Sequence, residues 1–339
     1  MTLPESCLVS QAIGRRYALI VPVRDEEKFV GAMIDSILAQ TVRPAKWIFV
    51  DDGSTDETPE IVSTYGRQFK FVELVRMPSR SHRMPGGEGA ISAAIARLNV
   101  ADYDFIARFD ADLIFKPDYI ANMLSEFERD PKLGIAGGGL YSETNGVLRL
   151  ENDPESHVRG ALKMYRRQCF EDIGGLTTQI GWDTIDEVYA WIHGWKTRSF
   201  YQYEVLHRRP TGGSIAASRI YRERGKAEYL TWSSPLFVGA KALKLAVSDR
   251  SLTKVASYAG GFLSCYAARL PRFHDPTFRK TRRAQQLRRL ASLPVTIGAR
   301  KFASHTLTMT PPTAGCPGAS AFDAAQLYAG KAIKSTAEE

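Results

Sequence analysis

The sequence has few cysteines and no long hydrophobic run, and each absence excludes a class of protein. The 339 residues include four cysteines, Cys7, Cys169, Cys265 and Cys316, and no pair of them has the spacing of a CxxC or zinc motif. We therefore expect a reduced, cytoplasmic chain without structural zinc. No basic segment precedes an apolar run near the N-terminus, so we expect no secretory signal peptide.

The chain also lacks a stretch that could form a conventional transmembrane helix. The best candidate, residues 255–268, contains Ser, Gly and Tyr, whereas a spanning helix needs about 20 predominantly apolar residues. We expect this segment to form a buried or an interfacial helix. Hydrophobic residues make up 44% of the chain and charged residues 24%, which is typical of a folded globular protein and excludes wholesale disorder.

The positive charge is concentrated in one segment. The chain has 45 Lys and Arg against 37 Asp and Glu, a formal net charge of +8. Residues 269–289 hold eight Lys and Arg and one Asp, so this segment alone carries +7. Because clustered cations are attracted to anionic lipid, and because the apolar segment 255–268 precedes them, we favour a membrane-surface anchor over a solvated helix. Aromatic residues are sparse there and no nucleic-acid motif accompanies them, so we expect no nucleic-acid partner.

The first part of the chain alternates between apolar strands and amphipathic helices. Apolar runs predict strands at residues 17–23 and 47–50, and mainly apolar segments predict two more at residues 71–75 and 105–109. Helical periodicity follows each of them, and this alternation predicts an α/β fold with a mostly parallel sheet flanked by helices on both faces. In such sheets the ligand binds at the carboxyl ends of the strands.

The pattern loosens after about residue 135. Irregular strands are expected near residues 137–139 and 148–150, a helix from about residue 160 to residue 174, a helix over 183–192 and a strand over 196–206. A C-terminal helical extension follows, and its basic part is the segment described above. We predict a catalytic domain over residues 1–230, a helical basic extension over 231–302 and a disordered tail over 303–339.

Acidic clusters lie directly after three of the predicted strands, at residues 25–27, 51–52 and 110–112. Asp110 and Asp112 are two residues apart in extended chain, so both carboxylates point the same way and can share one divalent cation. Carboxylate oxygens suit Mg²⁺ or Mn²⁺. A second DxD, at residues 102–104, precedes its strand instead of following it, which makes it the weaker candidate.

The run Asp51 to Asp56 (DDGSTD) combines an acidic pair with a Gly turn and a helix cap. A turn alone requires only one of these carboxylates. The second carboxylate, that of Asp52, can accept a hydrogen bond from the imide N–H of a nucleobase.

Together, Pro22 to Glu27 (PVRDEE), the DDGSTD run and the later Asp110-Ala111-Asp112 resemble family 2 glycosyltransferases with the GT-A fold, over roughly residues 17–230. The family usually has Asn where this chain has Asp25, and often Tyr where it has Arg24. The resemblance implies a nucleotide-diphosphate sugar donor, a saccharide or lipid-linked acceptor and inversion at the anomeric carbon, as in cell-surface polysaccharide or glycolipid synthesis.

The resemblance also implies roles for particular residues. Asp52 would contact the base, Asp110 the ribose or the metal, and Asp112 the metal that bridges the diphosphate. His207, after the last strand, would complete the metal shell. The remaining donor-binding residues implied in this way are Pro22, Arg24 and Glu26 in the nucleotide pocket and Arg80 and Arg83 near the diphosphate.

The general base is expected near the start of the later helix. Family members usually show Glu-Asp about a dozen residues before a Gly, and here Trp182-Asp183 precedes Gly194. We assign the base to Asp183. Asp186 lies three residues on and shares the same helix face, so it remains an alternative base or a helper.

Other enzyme classes fit the sequence less well. A sugar nucleotidyltransferase would carry a Gly-rich loop after the first strand, where residues 24–27 are Arg-Asp-Glu-Glu. The GxGxxG of a dinucleotide-binding dehydrogenase is missing from the same place, and no GxxxxGK[ST] of a P-loop enzyme is present. A non-catalytic scaffold on the same fold is disfavoured by the intact acidic clusters.

Overall fold

The computed structural model describes residues 15–78, 88–144, 147–151, 154–177, 179–209, 217–249 and 251–291. All of them belong to one unit, Met1–Leu293, and a second unit, Pro294–Glu339, lies outside the described residues. The disordered tail expected over residues 303–339 falls in that second unit, so it stays a prediction.

One sheet runs through the described part of the chain, with the strand order β3-β2-β1-β4-β8-β6-β9-β5 and with β7 paired to β6. The strands are β1 (Tyr17–Val23), β2 (Lys46–Asp51), β3 (Val72–Arg76), β4 (Phe105–Phe109), β5 (Leu113–Phe115), β6 (Leu133–Thr144), β7 (Val147–Leu150), β8 (Leu162–Arg166) and β9 (Lys196–His207).

The half of the sheet formed by β3, β2, β1 and β4 is entirely parallel. Its strands are apolar on both faces because helices cover both, and every residue of β4 is buried. The four strands predicted for this half are confirmed within one residue at each end. Their carboxyl ends therefore meet at a common edge, where the acidic clusters lie.

The second half of the sheet is mixed, and one prediction was wrong there. Residues 162–166, expected within a helix, form strand β8, which pairs antiparallel with both β4 and β6. The next strand, β6, shifts register against β9 between Gly138 and Gly139. A Cβ on Gly138 would lie 2.3 Å from the carbonyl oxygen of Tyr203, so only glycine permits this close approach of the two strands.

In the described part of the chain six helices flank the sheet, and one of them positions a predicted catalytic residue. They are α1 (Val30–Leu38), α2 (Thr58–Gln68), α3 (Glu88–Ile95), α4 (Tyr119–Arg129), α5 (Arg167–Asp172) and α6 (Trp182–Ile192). Helix α6 begins directly after Gly181, whose φ of 88° is in the left-handed region. The turn at Gly181 places Asp183 in the first turn of α6.

The C-terminal extension contains helices α7 (Ala217–Leu230), α8 (Pro235–Asp249), α9 (Leu252–Ala267) and α10 (Pro276–Ala291). Helices α7 and α9 pack closely, since a Cβ on Gly225 would lie 2.0 Å from the carbonyl oxygen of Tyr258. Helix α10 contacts α6 through Phe278, which packs with Tyr189. Among the described helices, none has the length and apolar character that crossing a bilayer demands.

Candidate functional site

The loops that follow β1 and β2 are joined by hydrogen bonds at the carboxyl edge of the sheet. The Asp25 carboxylate accepts from the Thr55 N–H at 2.8 Å, and the Asp25 N–H donates to Ser54 Oγ at 3.0 Å. The Glu26 N–H donates to Thr58 Oγ1 at 2.7 Å. Asp25 has φ 54°, a conformation that Asp and Asn tolerate better than other side chains. The two loops thus form one fixed wall.

Asp52 is buried in this wall with a carboxylate that forms no hydrogen bond. Both of its side-chain oxygens are buried without a hydrogen-bond partner, and Arg24 Nη1 is 3.8 Å from Asp52 Oδ2. An unsatisfied buried carboxylate is unfavourable in the unliganded fold. A site that binds a polar N–H group explains why such a carboxylate is retained, and this agrees with the predicted contact to a nucleobase.

Asp110 lies at the end of β4 and is accessible. Its carboxylate is paired with Arg108 Nη1 at 2.7 Å, and about a third of its side chain, 35%, is exposed. Arg108 is buried and also donates to the carbonyl oxygen of Gly160. A Cβ on Gly160 would lie 3.2 Å from Asp183 Cβ. Arg108 and Gly160 therefore connect Asp110 to the helix that carries Asp183.

Asp112 and His207 face each other beside Asp110. His207 Nε2 is 3.5 Å from Asp112 Oδ1, and His207 Nδ1 is 2.7 Å from Glu151 Oε1. Burial lowers the pKa of His207, but the neighbouring carboxylates of Asp112 and Glu151 raise it to about 9. Burial raises the pKa of Asp112, but His207 and then Arg209 lower it. The combined effect of these two cations is larger, so the pKa lies below its usual value.

Arg209 joins two of the acidic loops. Its Nη2 lies 3.2 Å from Asp112 Oδ2 and also pairs with Glu26. The guanidinium stands over the ring of Phe29, 5.4 Å from its centroid. This half-buried arginine neutralises part of the charge that the acidic clusters concentrate at the edge of the sheet.

The donor set at Asp112 fits a divalent cation. Asp112 Oδ1 is buried and lacks a hydrogen-bond partner, and Glu151 holds the imidazole of His207 from behind, as is usual for histidines that bind metal. A carboxylate and an imidazole suit Mn²⁺ better than Mg²⁺. In the described part of the chain no three His, Cys, Asp or Glu side chains are placed to hold a metal by themselves. A bound cation would thus need further ligands from a substrate.

Asp183 and Asp186 occupy different environments on α6. The Asp183 side chain is partly exposed, whereas Asp186 is buried. Asp186 accepts from Lys163 Nζ at 2.8 and 2.9 Å and from the Tyr165 hydroxyl at 2.5 Å. Lys163 Nζ also donates to the main-chain carbonyl of Asp183 at 2.7 Å. The fully buried lysine thus ties the first turn of α6 to the middle of the sheet.

Pro22, Arg80 and Arg83 complete the predicted donor-binding residues. Pro22 lies in β1 at the edge of the site. Arg80 and Arg83 lie outside the described residues. Trp182, the first residue of α6, is buried, with the guanidinium of Arg108 5.1 Å from its ring centroid. This places Trp182 in the packing beneath α6.

Sequence reasoning missed several charged residues of the site. Arg108 lies in a predicted strand and Lys163 in a segment expected to be helical, and only the pairing of β4 with β8 shows that they are neighbours. Arg209 was visible as a cation directly after the last strand, beside His207. Glu151 had no sequence signal, because it reaches His207 only through the pairing of β6 with β9.

Comparison with solved structures defines the class of the fold. The structure of GalNAc-T7 with UDP, GalNAc and Mn²⁺ matches with a TM-score of 0.56 at 12% identity, covering 84% of this chain and 58% of that one. The expected α/β fold of the GT-A type is thereby confirmed. Residues 18–179 match the model of glycosyl transferase family 2.

Curated relatives match part of the chain. Dodecaprenyl-phosphate galacturonate synthase of Rhizobium johnstonii is 37% identical over 138 residues, which cover 39% of this chain and 38% of the relative. Poly-beta-1,6-N-acetyl-D-glucosamine synthase of Staphylococcus epidermidis is 27% identical over 204 residues, covering 54% of this chain and 45% of the relative. The chain therefore matches less than half the length of each of these two relatives.

Proposed function

We propose that the chain is an inverting, metal-dependent glycosyltransferase of the hexosyltransferase type. It would move a sugar from a nucleotide-diphosphate donor to a hydroxyl of a saccharide or lipid-linked acceptor. The observation that carries this proposal is that one edge of the sheet holds a buried carboxylate without a hydrogen bond, at Asp52, together with the accessible Asp110 and the Asp112–His207 pair. The match of residues 18–179 to the model of glycosyl transferase family 2 supports the reaction class.

The donor would lie across the carboxyl ends of β1, β2 and β4. Asp52 accepts from the base, and Pro22, Arg24 and Glu26 line the nucleotide pocket. Asp110 contacts the ribose or the metal, and Arg80 and Arg83 offset the charge of the diphosphate. Asp112 and His207 would hold Mg²⁺ or Mn²⁺, which supplies Lewis-acid stabilisation of the departing diphosphate.

Asp183 is the general base of the proposed reaction. Its carboxylate takes the proton of the acceptor hydroxyl while the new bond forms at the anomeric carbon and the bond to the diphosphate breaks. The side chain is partly exposed and no ion pair occupies its carboxylate in the described part of the chain, whereas Lys163 and Tyr165 occupy Asp186. Asp186 helps by holding α6 in place. Binding both substrates close together contributes the remaining rate acceleration.

The choice of acceptors to test rests on a relative and on the charge of the chain, and not on the shape of the pocket. One relative is named as a dodecaprenyl-phosphate galacturonate synthase, which makes polyprenyl phosphates the first lipid acceptors to test. A synthesis of cell-surface polysaccharide or glycolipid at the cytoplasmic face of a membrane fits the clustered positive charge of residues 269–289.

Two aspartates in similar DxD motifs provide a matched test. Thermal unfolding is followed with UDP-, GDP- and dTDP-sugars, with and without MnCl₂. We expect one donor to stabilise the wild type only with metal, Asp112→Asn to lose that stabilisation, and Asp102→Asn to keep it, since the exposed Asp102 only accepts from Asn99. An equal response of both variants would refute the assigned metal site.

The base is tested by Asp183→Asn, which we expect to abolish transfer and to leave donor stabilisation intact. Undiminished turnover would move the base to Asp186. Formation of nucleotide sugar from a nucleoside triphosphate and a sugar phosphate would instead indicate a nucleotidyltransferase.

A further inference from the structure

Two C-terminal helices expose apolar side chains along one side. On α8 these are Leu236, Leu243 and Val247, with 69%, 67% and 73% of their surface exposed. On α9, Leu252 and Leu263 are 82% and 60% exposed. The spacing of these residues, together with the small Ala240, Ala256 and Gly260 between them, forms one stripe on each helix. We call these the outward stripes of α8 and α9.

The opposite sides of both helices are already packed. Val238 of α8 and Tyr258, Phe262 and Cys265 of α9 are buried in one cluster with Tyr229 of α7. The helices therefore have an apolar inner side that the fold uses and an apolar outer side that the described structure does not. A helix that is apolar on both sides normally lies inside a larger core or against lipid.

The charge of the C-terminal helices indicates which partner covers the outward stripes. Residues 217–291 contain 16 Lys and Arg and four Asp and Glu. A second copy of this chain would bring the same positive charge against itself, which is unfavourable. Anionic lipid headgroups match the positive charge, and the acyl region below them matches the apolar stripes.

The structure also disfavours α10 as the main membrane contact. Several arginines of the basic segment bind the protein itself: Arg272 stands over the rings of Tyr229 and Trp232, and Arg282 is buried, 3.5 Å from Glu228. Some arginines of the membrane anchor expected in residues 269–289 thus stabilise the packing of the helices instead. The apolar surface available for insertion lies on α8 and α9.

We propose that the outward stripes of α8 and α9 insert into the interface of an anionic bilayer. This deepens the proposed function, on which it rests only for the expectation of a lipid-linked acceptor. The helices lie on the membrane and the basic side chains around them contact the headgroups.

The test is co-sedimentation of the full chain with vesicles of phosphatidylcholine, with and without 30 mol% phosphatidylglycerol. We expect binding to the anionic vesicles that weakens at high salt. The double variant Leu243→Asp, Leu263→Asp should lower the partition coefficient at least tenfold, because two side chains no longer enter the acyl region. The matched control is Leu287→Asp on α10, where Leu287 is also exposed, at 62%, and this variant should bind as the wild type does.

Each other outcome overturns the proposal. Wild-type binding that is absent, or equal for all three proteins, shows that the stripes do not contact lipid. A wild-type dimer that becomes monomeric in the double variant by light scattering assigns the stripes to a second copy. Melting temperatures confirm that the variants fold. If the double variant loses vesicle binding but still releases nucleotide, the membrane contact is separate from the proposed transferase activity. Conversely, Asp183→Asn should bind vesicles normally.

Discussion

The buried lysine beneath α6 gives the sharpest prediction about how the site is held. Lys163 is fully buried, and its ammonium contacts the Asp186 carboxylate and the main-chain carbonyl of Asp183. Burial lowers its pKa, but Asp186 and Glu187 raise it above its usual value, so the ammonium stays charged. Lys163→Met removes the cation and leaves the two buried carboxylates without it.

The cost follows from the loss of one partner of a buried ion pair. Breaking such a pair costs about 3–5 kcal/mol. For a domain of this size each kcal/mol lowers the melting temperature by roughly 2–4 °C, so we expect a decrease of roughly 6–20 °C. Adding Asp186→Asn should recover part of the loss, because the amide oxygen still accepts from Tyr165 while the unpaired charge is removed.

The assay is thermal unfolding of the wild type, both single variants and the double variant, which together form a mutant cycle. Turnover at 15 °C, where we expect the lysine variant to remain folded, should fall while donor affinity is unchanged, since only the turn that carries Asp183 loses its anchor. A melting temperature within 2 °C of the wild type would refute the reasoning. So would a double variant less stable than Lys163→Met.

Further predictions concern two other buried carboxylates. Burial raises the pKa of Glu228, but Lys241 and Arg282 lower it to about 2; its stabilisation, about 3 kcal/mol, is therefore present above pH 4.5 and lost as the pH falls toward 2. Glu228→Gln should flatten the fall in melting temperature between pH 6 and pH 2.5, and an unchanged pH profile would contradict this. Asp52→Asn should raise the unliganded stability by about 1 kcal/mol, because a buried charge without a hydrogen bond is removed, and should weaken nucleotide binding at least tenfold by calorimetry. Lower unliganded stability would count against an Asp52 held ready for a ligand.

The parallel half of the fold was predictable because its signals are local. Strand β1 is a continuous apolar run, β4 is apolar except for Arg108, and the sequence places Asp110 directly after β4. Helix α6 and strand β9 were predicted within one residue of their ends. The clustering of the acidic loops followed from topology, since parallel strands end at one edge.

The rest of the fold and of the site depends on contacts between segments that are distant in the sequence. Strand β8 reads as the start of a helix, because its pairing with β4 and β6 is not visible in a five-residue segment. Lys163 lies in that strand, so its bond to α6 could not be foreseen. The orientation of His207 by Glu151 likewise depends on sheet register, which the sequence does not specify.

The most direct measurement is release of nucleoside diphosphate from a panel of UDP-, GDP- and dTDP-sugars by the full chain, with and without MnCl₂, using polyprenyl phosphate and saccharide acceptors. We expect release with one class of donor that requires metal, increases with a suitable acceptor and is lost in Asp183→Asn. Absence of release with every donor, or release that is unchanged in Asp183→Asn, would contradict the assignment of this site as a glycosyltransferase centre.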